Sequence, residues 1–556
     1  MSKTESVLQN GQEAGGSMTA TVRAFACHGT PLRGLMSTAN SLTFEGRFGR
    51  MFPSSVIAAN YGTTEQQSRD ALKKLGSAMT STFDKPKDGF DDEESGIPAL
   101  YTYFGQFIDH DLTFDPVTTL TQRFDPNGLT DFRTPALDLD NVYGRGPDDQ
   151  PYMYDGNRFI LGAKLANGAP DLQRNSATPA RAIIGDPRND ENSIVSQFQA
   201  LMLRFHNRVV DENPGIDFPS LQNIVRWHYQ WVIINDFLPR IISSSVLDKL
   251  RTNGQYDRTK VKFFQWKEKP FMPVEFSAAA YRLGHSMIRP GYRLNDHKLL
   301  AIFPVPVTVD GASDGEFSKE GLTGFTAMDK DRYIDWGRFV DVGPLRARGK
   351  EPEDKKPADD EMKKRLQFAY RLDASIVEPL ADLPKSVAAD DPPSLAQRNL
   401  LRGFELGLPS GQSVAQAMGI TPLSDDQIFI TKATDDPRKH EDSIAGNPAY
   451  AIFRGNCPLW TYILAEAAAT ATETDKKIPI PVLPDSDGKP ITVTTPQLGE
   501  VGGRIVAEVF LGLLFGDKSS FLSACPGWTP SIGGVGSGFA LRDIVAYALG
   551  DKAHAV

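Results

Sequence analysis

The sequence predicts a mainly α fold, a single large helical domain with few short strands. Three observations carry that prediction. Apolar residues recur at helical spacing in successive segments from residue 96 onward. Strand-like stretches are short and scattered. The Gly-, Pro- and charge-rich breaks between helical segments read as loops, since none is long or biased enough to be a clean domain boundary. The chain has 556 residues, room for one large domain or several average ones, and no internal repeat.

Each element follows in order. Residues 1–20 are polar and Gly/Ser-rich and are expected to be a disordered tail. Residues 21–95 are expected to form an N-terminal arm packing on the core, and residues 96–556 the main domain. From Ile97 to Leu112, the residues Leu100, Phe104, Phe107, Ile108 and Leu112 form one apolar stripe. Ile194, Val195, Phe198, Leu201, Met202 and Phe205 repeat the pattern, with Asp186-Pro187 as N-cap and first-turn proline. A third helix runs from Glu275 to Ile288 and stops at Pro290-Gly291. Lys350 to Lys364 reads as an exposed loop, and Asp391 to Gln397 as a turn entering another helix. Ile478 to Pro496 fits a small hairpin or a long loop. Ile505 to Phe515 is too short to cross a bilayer and carries Glu508, so it reads as a core helix.

Hydrophobic residues make up 40% and charged residues 23%, an ordinary soluble composition. A net charge of −10 and a pI near 5.4 argue against nucleic acid and against attraction to anionic lipid. The three cysteines, Cys27, Cys457 and Cys525, are too scattered for a Cys-rich metal site, and free thiols are expected, with one disulfide left open. With no signal-peptide run, the expectation is a soluble protein, cytoplasmic or exported without a classical signal peptide, with no membrane insertion.

The chemistry concentrates in three segments. The first is YFGQFIDHDLTFDP, Tyr103 to Pro116. On a helix, Gln106, Asp109, His110 and Thr113 share a face distinct from the aromatic stripe. An amide, a carboxylate and an imidazole facing one way suit proton transfer to and from a peroxide, although a surface helix with a polar stripe has the same geometry. The second segment, Gly185 to Glu212, puts Arg188 and Glu191 on one face of a first turn. A permanent guanidinium can stabilise a departing oxygen anion, and the same pair also fits a surface ion pair. The third, AYRLGHSMIRPGYRLN, Ala280 to Asn295, holds His285 with Arg282 three residues earlier. Between the first two, TPALDLDNVYG (Thr134 to Gly144) sets Asp138 and Asp140 two apart, a spacing open to a hard cation or to a solvated turn.

Together GQFIDHDLTFDP, GDPRNDE…LRFHNR and RLGHSMIRP resemble, in the same order, the signatures of the animal-type haem peroxidases of the peroxidase–cyclooxygenase superfamily, here a bacterial-looking member. The resemblance extends over roughly residues 95 to 550. It implies a haem-peroxidase domain, a haem b cofactor and Ca²⁺. It implies Gln106 and His110 above the iron, Arg188 as the catalytic arginine, and His285 as the iron ligand with Asn399 as its hydrogen-bond partner. Asp109 and Glu191 match carboxylates that are ester-linked to haem in many members. Arg282 and Arg402 match propionate partners, although the usual Arg-Asp-His-Gly after Arg402 is replaced by Gly403-Phe404-Glu405-Leu406. Asp111, Thr134, Ala136 through its carbonyl, Asp138 and Asp140 match the calcium shell. Asp140 stands where the family usually has Ser, an excess of negative charge that Arg133 is expected to offset. Asn192 stands where the mammalian leukocyte member has a sulfonium-forming methionine, so a lower reduction potential is expected.

The implied activity is reduction of H2O2, with oxidation of bromide, iodide, thiocyanate or phenolic donors through Compound I. Two alternatives stay open. One is a fatty-acid dioxygenase of the same superfamily, whose radical-forming tyrosine lies three residues before the proximal His; Arg282 occupies that place and Tyr281 is one step off. The other is a non-enzymatic haem- and calcium-binding protein. His206 is expected to be structural, and His28, His228, His297, His440 and His554 to have surface or core roles.

Overall fold

The computed structural model describes residues 46–53, 55–82, 91–114, 130–131, 133–266, 269–304, 320–342, 364–385, 387–388, 390–434, 438–470, 477–479 and 492–550. The tail at 1–20, the loop at 350–364 except Lys364, Pro116, Cys27, His28 and His554 lie outside the described residues, as does the rest of 1–45.

The principal helices are α1 (Glu65–Ala78), α2 (Leu100–Leu112), α3 (Ser193–Glu212), α4 (Phe218–Val232), α5 (Leu395–Glu405), α6 (Gly411–Ala417), α7 (Leu459–Thr470), α8 (Glu500–Gly516) and α9 (Leu541–Leu549). Strands are two to five residues long and pair locally. Gly46–Gly49 runs antiparallel to Thr130–Asp131 and parallel to Met272–Pro273, which ties the chain before α1 to the core. Phe368–Tyr370 pairs antiparallel with Glu94–Pro98, just before α2. Lys477–Pro479 and Thr492–Thr494 form the hairpin expected within Ile478–Pro496, displaced by one residue at its start.

The centre is aromatic. Phe104 and Phe107 of α2 are fully buried and meet Phe198 of α3 and Tyr229 of α4 edge to face. The Phe107–Phe198 centroids are 5.0 Å apart and the planes nearly perpendicular. Edge-to-face contact sets one ring's positive rim against another's negative face, adding about 0.5–1.5 kcal/mol per pair beyond area burial. α2 is thereby clamped by its apolar stripe while its opposite face stays open to a cavity.

α8 is buried on nearly every side, as its apolar run predicts. Glu508 inside that run is fully buried, and its carboxylate accepts from the amides of Lys262, Phe263 and Phe264 and from Arg504 Nε at 2.6 Å. A buried carboxylate with that many donors is compensated, which is why it survives in the core. Among the described residues no helix is long and apolar enough to cross a membrane. Cys457 is buried and Cys525 exposed, both as free thiols.

Two expected helices take another form. The long helix does not begin at Asp186-Pro187. Those residues cap and open a short 3-10 turn, Pro187–Asp190, and α3 starts afresh with Asn192 as N-cap, accepting from Ile194 N and Val195 N. Asn192 is itself a strong capping residue, so the chain caps two turns in succession. The helix expected over Glu275–Ile288 is split into Val274–Ser277 and a six-residue 3-10 turn, Ala280–His285. Ala279, at φ −135° and ψ −74°, breaks the ladder between them.

Candidate active site

α2 and the Ala280–His285 turn face each other across a cavity of about 320 Å³. Gln106, Asp109 and His110 line it from α2, and Arg282 and His285 from the opposing turn. Glu191 and Asn192 close one side, and Leu283, Met287, Ile288, Leu380 and Leu383 make its walls largely apolar. Residues three apart nearly eclipse in a 3-10 turn, so Arg282 and His285 share a face more closely than an α-helix would allow. Ser286 anchors the turn, its hydroxyl donating to Asp373 O at 2.9 Å.

Both imidazoles are held neutral. Burial, reinforced by the Arg188 charge, lowers His110 to about 4. Burial, then the Arg282 charge, lowers His285 to about 3. A neutral ring offers a lone pair, which both a proton acceptor and a metal ligand require. His285 Nδ1 lies 2.7 Å from the Asn399 side-chain amide, whose nitrogen faces it. A half-turn of that amide presents its oxygen instead, making Nδ1 the donor and freeing Nε2 for a metal. His110 Nδ1 lies 2.7 Å from Asn189 Oδ1.

The carboxylates differ. Burial raises Glu191 to about 7 against the pull of Arg188, and Gln106 Nε2 donates to it. Gln106 Oε1 in turn accepts from Asn192 Nδ2 at 3.3 Å. Asn192 therefore serves two neighbours, as helix N-cap and as amide donor, and neither task suits methionine. Asp109 lines both the main cavity and a second one of about 240 Å³, which also receives Arg188, Arg282 and Arg402. The structure thus sets Arg188 beside the chamber holding His110 and not inside it. Its guanidinium donates to both Asp186 oxygens and to His110 O at 3.1 Å, and stacks over Phe114 at 4.5 Å. Burial alone would raise Asp186, but Arg188 and Arg133 hold it well below the usual carboxylate range.

The loop expected to bind calcium converges as a unit. Ligand oxygens of Asp111, Asp138 and Asp140 lie within 4.8 Å of one another. Asp111 is fully buried, with one oxygen accepting from Tyr229 at 3.1 Å and the other without a hydrogen-bond partner. Burial first, then Asp138 and Asp140, push Asp111 well above its ordinary value. Thr134 Oγ1 stands 3.1 Å from Asp138, and Ala136 lies in the same tight turn, its N–H donating to Thr134 O. Three crowded carboxylates with an orphaned oxygen fit a divalent cation, since a cation removes both the repulsion and the vacancy in the bonding pattern. Arg133 meets Asp140 at 3.3 Å, as expected for charge compensation, and also bridges to Asp186 and donates to Gly185 O. A Cβ on Gly185 would sit 2.5 Å from Asp140 O, so only glycine lets the Arg188 turn lie directly on this loop.

Sequence reasoning gave Asn189 no role, read Asp186 only as a helix cap and weighed Tyr281 only for the dioxygenase alternative. Asn189 and Asp186 flank Arg188 and differ in no visible way from ordinary cap residues. Tyr281 lines the cavity, its hydroxyl donating to Gly105 O at 3.1 Å and its ring stacked on Phe276. His206 is structural in position, packed in the core between Tyr143 Oη and Asn157 O.

Comparison with known proteins fits this geometry. Residues 120–309, which include the loop with Asp138 and Asp140, Arg188 and His285, match the animal haem peroxidase family. The chorion peroxidase of Aedes aegypti is 26% identical over 178 residues, 29% of this chain and 22% of that protein. The thyroid peroxidase of Mus musculus is 24% identical over 208 residues, 33% of this chain and 21% of that protein. The chain therefore spans only a small part of those relatives' length. Peroxidase A of Dictyostelium discoideum shares the fold, with a TM-score of 0.53 and 14% identity over 86% of this chain and 89% of that one. Over residues 120–309 the chain is similar to the animal haem peroxidases in sequence, and its fold is similar to that of Dictyostelium peroxidase A.

Proposed function

We propose that this chain is a haem peroxidase that reduces H2O2 and oxidises small anionic or phenolic donors, with residues 96–556 as its catalytic domain. The observation that carries the reading is the pair of neutral imidazoles, His110 and His285, on opposite walls of one mostly apolar cavity. The residues present fit haem b. Apolar walls suit a macrocycle, His285 Nε2 suits iron, and Arg282 and Arg402 suit propionates. When bound, the haem supplies the metal at which peroxide is cleaved and the oxidising power passed to the donor.

The chain's own residues do the rest. His110 Nε2 takes a proton from H2O2 and returns it to the departing oxygen. Arg188, or its field from the adjoining cavity, stabilises the negative charge that develops there. Gln106, braced by Glu191 and Asn192, holds water or an anion beside His110. Asp109 and Glu191 are the carboxylates we assign to ester links. Asn192 supplies no sulfonium link, so bromide, iodide, thiocyanate and phenols are the donors we assign in preference to chloride. Asp111, Asp138, Asp140, Thr134 and the Ala136 carbonyl hold Ca²⁺ and brace the His110 end of α2.

The test is an absorption spectrum of the purified protein before and after H2O2, with bromide and guaiacol as donors and a denaturing step for covalently retained haem. Protein that carries no haem, or carries it and oxidises neither donor, would end this reading.

A second reading, a fatty-acid dioxygenase, draws on Tyr281 at the cavity wall. Against it, the Tyr281 hydroxyl is committed to Gly105 O and Arg282 holds the position three before His285. Oxygen uptake with linoleate in the absence of peroxide, at rates near peroxidase turnover, would favour it.

A further inference from the structure

A buried chain of amides runs behind His110. Asn141 Nδ2 donates to Phe107 O of α2 at 3.0 Å. Gln199 Nε2 donates to Asn141 O at 3.4 Å, and Gln199 Oε1 accepts from Asn189 Nδ2 at 2.8 Å. Asn189 Oδ1 then faces His110 Nδ1 at 2.7 Å. Asn141, Gln199 and Asn189 are all fully buried, so water cannot substitute for a lost partner.

The direction of this chain is decided at its far end. A backbone carbonyl can only accept, so the Gln199 atom facing Asn141 O is its nitrogen. Its oxygen must then face Asn189, the Asn189 group facing it must be the nitrogen, and the Asn189 oxygen is left for His110. An oxygen facing Nδ1 requires a proton on Nδ1 and leaves Nε2 as the bare acceptor. We propose that Asn189 and Gln199 are positioning residues that fix the His110 tautomer, so that Nε2 always enters the cavity unprotonated. The proposal rests on the peroxidase reading for its consequence but not for its geometry.

His228 shows the same accounting elsewhere in the chain. Its Nδ1 lies 2.7 Å from Ile224 O, which can only accept, and its Nε2 lies 3.2 Å from Ser531 N, which can only donate. It is therefore an internal reference for the same Nδ1–H tautomer, outside the cavity.

The experiment is ¹⁵N NMR of histidine-labelled, haem-loaded protein in its diamagnetic ferrous carbon-monoxide form, with His110→Ala to assign the signal. Peroxide reaction rates are measured on the ferric form of the same variants. Wild type should show Nδ1–H at His110, as at His228. Asn189→Leu and Gln199→Leu should lose that pattern at His110 and keep it at His228. Asn189→Leu should slow the reaction with H2O2 by about 10²-fold, the lower end of what a general base contributes. Asn189→Asp keeps an acceptor oxygen toward Nδ1 and should recover most of that loss. An Nε2–H signal at His110 in wild type overturns the proposal whatever the rates. Equal losses in Asn189→Leu and Asn189→Asp, with the tautomer unchanged, overturn it as well and leave Asn189 a packing residue. If His110→Ala itself reacts with peroxide at the wild-type rate, the peroxidase reading falls, while the NMR result still decides the tautomer.

Discussion

The two walls of the cavity are built on different principles. The His110 wall is one helix of 13 residues, clamped by aromatic rings and tied by a charged network to a candidate cation site. The His285 wall is a six-residue 3-10 turn whose imidazole meets the Asn399 side chain and whose end is anchored through Ser286. On the proposed peroxidase reading, the difference follows from what each ring would have to do. A proton shuttle depends on the placement and tautomer of a ring that is bonded to nothing strong, so the scaffold must supply all of its precision. A metal ligand is positioned in part by its own bond to the metal, so a short, simply braced turn suffices.

That contrast can be broken most directly at the two rings. His285→Ala should release haem, read as loss of the Soret band after gel filtration, while His110→Ala should keep haem and slow the peroxide reaction by about 10²–10⁴-fold. Haem retained by His285→Ala, or lost from His110→Ala, would reverse the assignment of the walls. Next in size, Phe104→Ala should destabilise the protein by about 3–5 kcal/mol in chemical denaturation, since it removes a fully buried ring that meets Phe198, Tyr229 and Phe237. A cost near 1 kcal/mol would mean that the aromatic clamp is not what holds α2.

Arg133→Ala should cost about 3 kcal/mol, because it strips a partner from the buried Asp186 and from Asp140 together. It should also change calcium retention, since the guanidinium that offsets the Asp140 charge is gone, read by elemental analysis of protein dialysed against chelator; unchanged calcium content would separate the two networks. Acid sharpens the comparison from another side. His206 and His228, on α3 and α4 behind the His110 wall, are lowered by burial to about 4. Their folded values lie below the unfolded one, so the stability they contribute is complete above about pH 6.5 and is lost as pH falls toward 4, at up to about 1.4 kcal/mol per pH unit per residue. The test is comparative: between pH 6.5 and 4.5 the melting temperature of His206→Phe or His228→Phe should fall less, or rise more, than that of wild type. The smallest effect belongs to Asn192→Ala, about 1 kcal/mol for a lost N-cap. A much larger loss would show that its bond to Gln106 matters more than the cap.

What the sequence could express was local. The stripe of Leu100, Phe104, Phe107 and Ile108 marked α2 and its buried face, because helical periodicity is written in spacing alone. The motifs around His110, Arg188 and His285 singled out residues that line two adjoining cavities, and Asp138 and Asp140 marked a loop whose carboxylates converge with Asp111, because short motifs are contiguous in the chain. Where the reading slipped, two local signals competed. Asp186 and Asn192 are both good caps six residues apart, and nothing in the sequence says that the first opens only a 3-10 turn.

The tertiary structure alone decided how distant pieces meet. It set Asn189 against His110, 79 positions away, a pairing that no motif suggested, whereas the Asn399–His285 pair, 114 positions apart, met what the resemblance implied. It turned the Arg188 guanidinium toward Asp186 and the second cavity, and drew Arg133 between the cation loop and that carboxylate. The reason is physical: a helix's period is a property of neighbouring residues, whereas hydrogen-bond direction and charge pairing depend on which groups folding brings within 3 Å of each other in a space that excludes water.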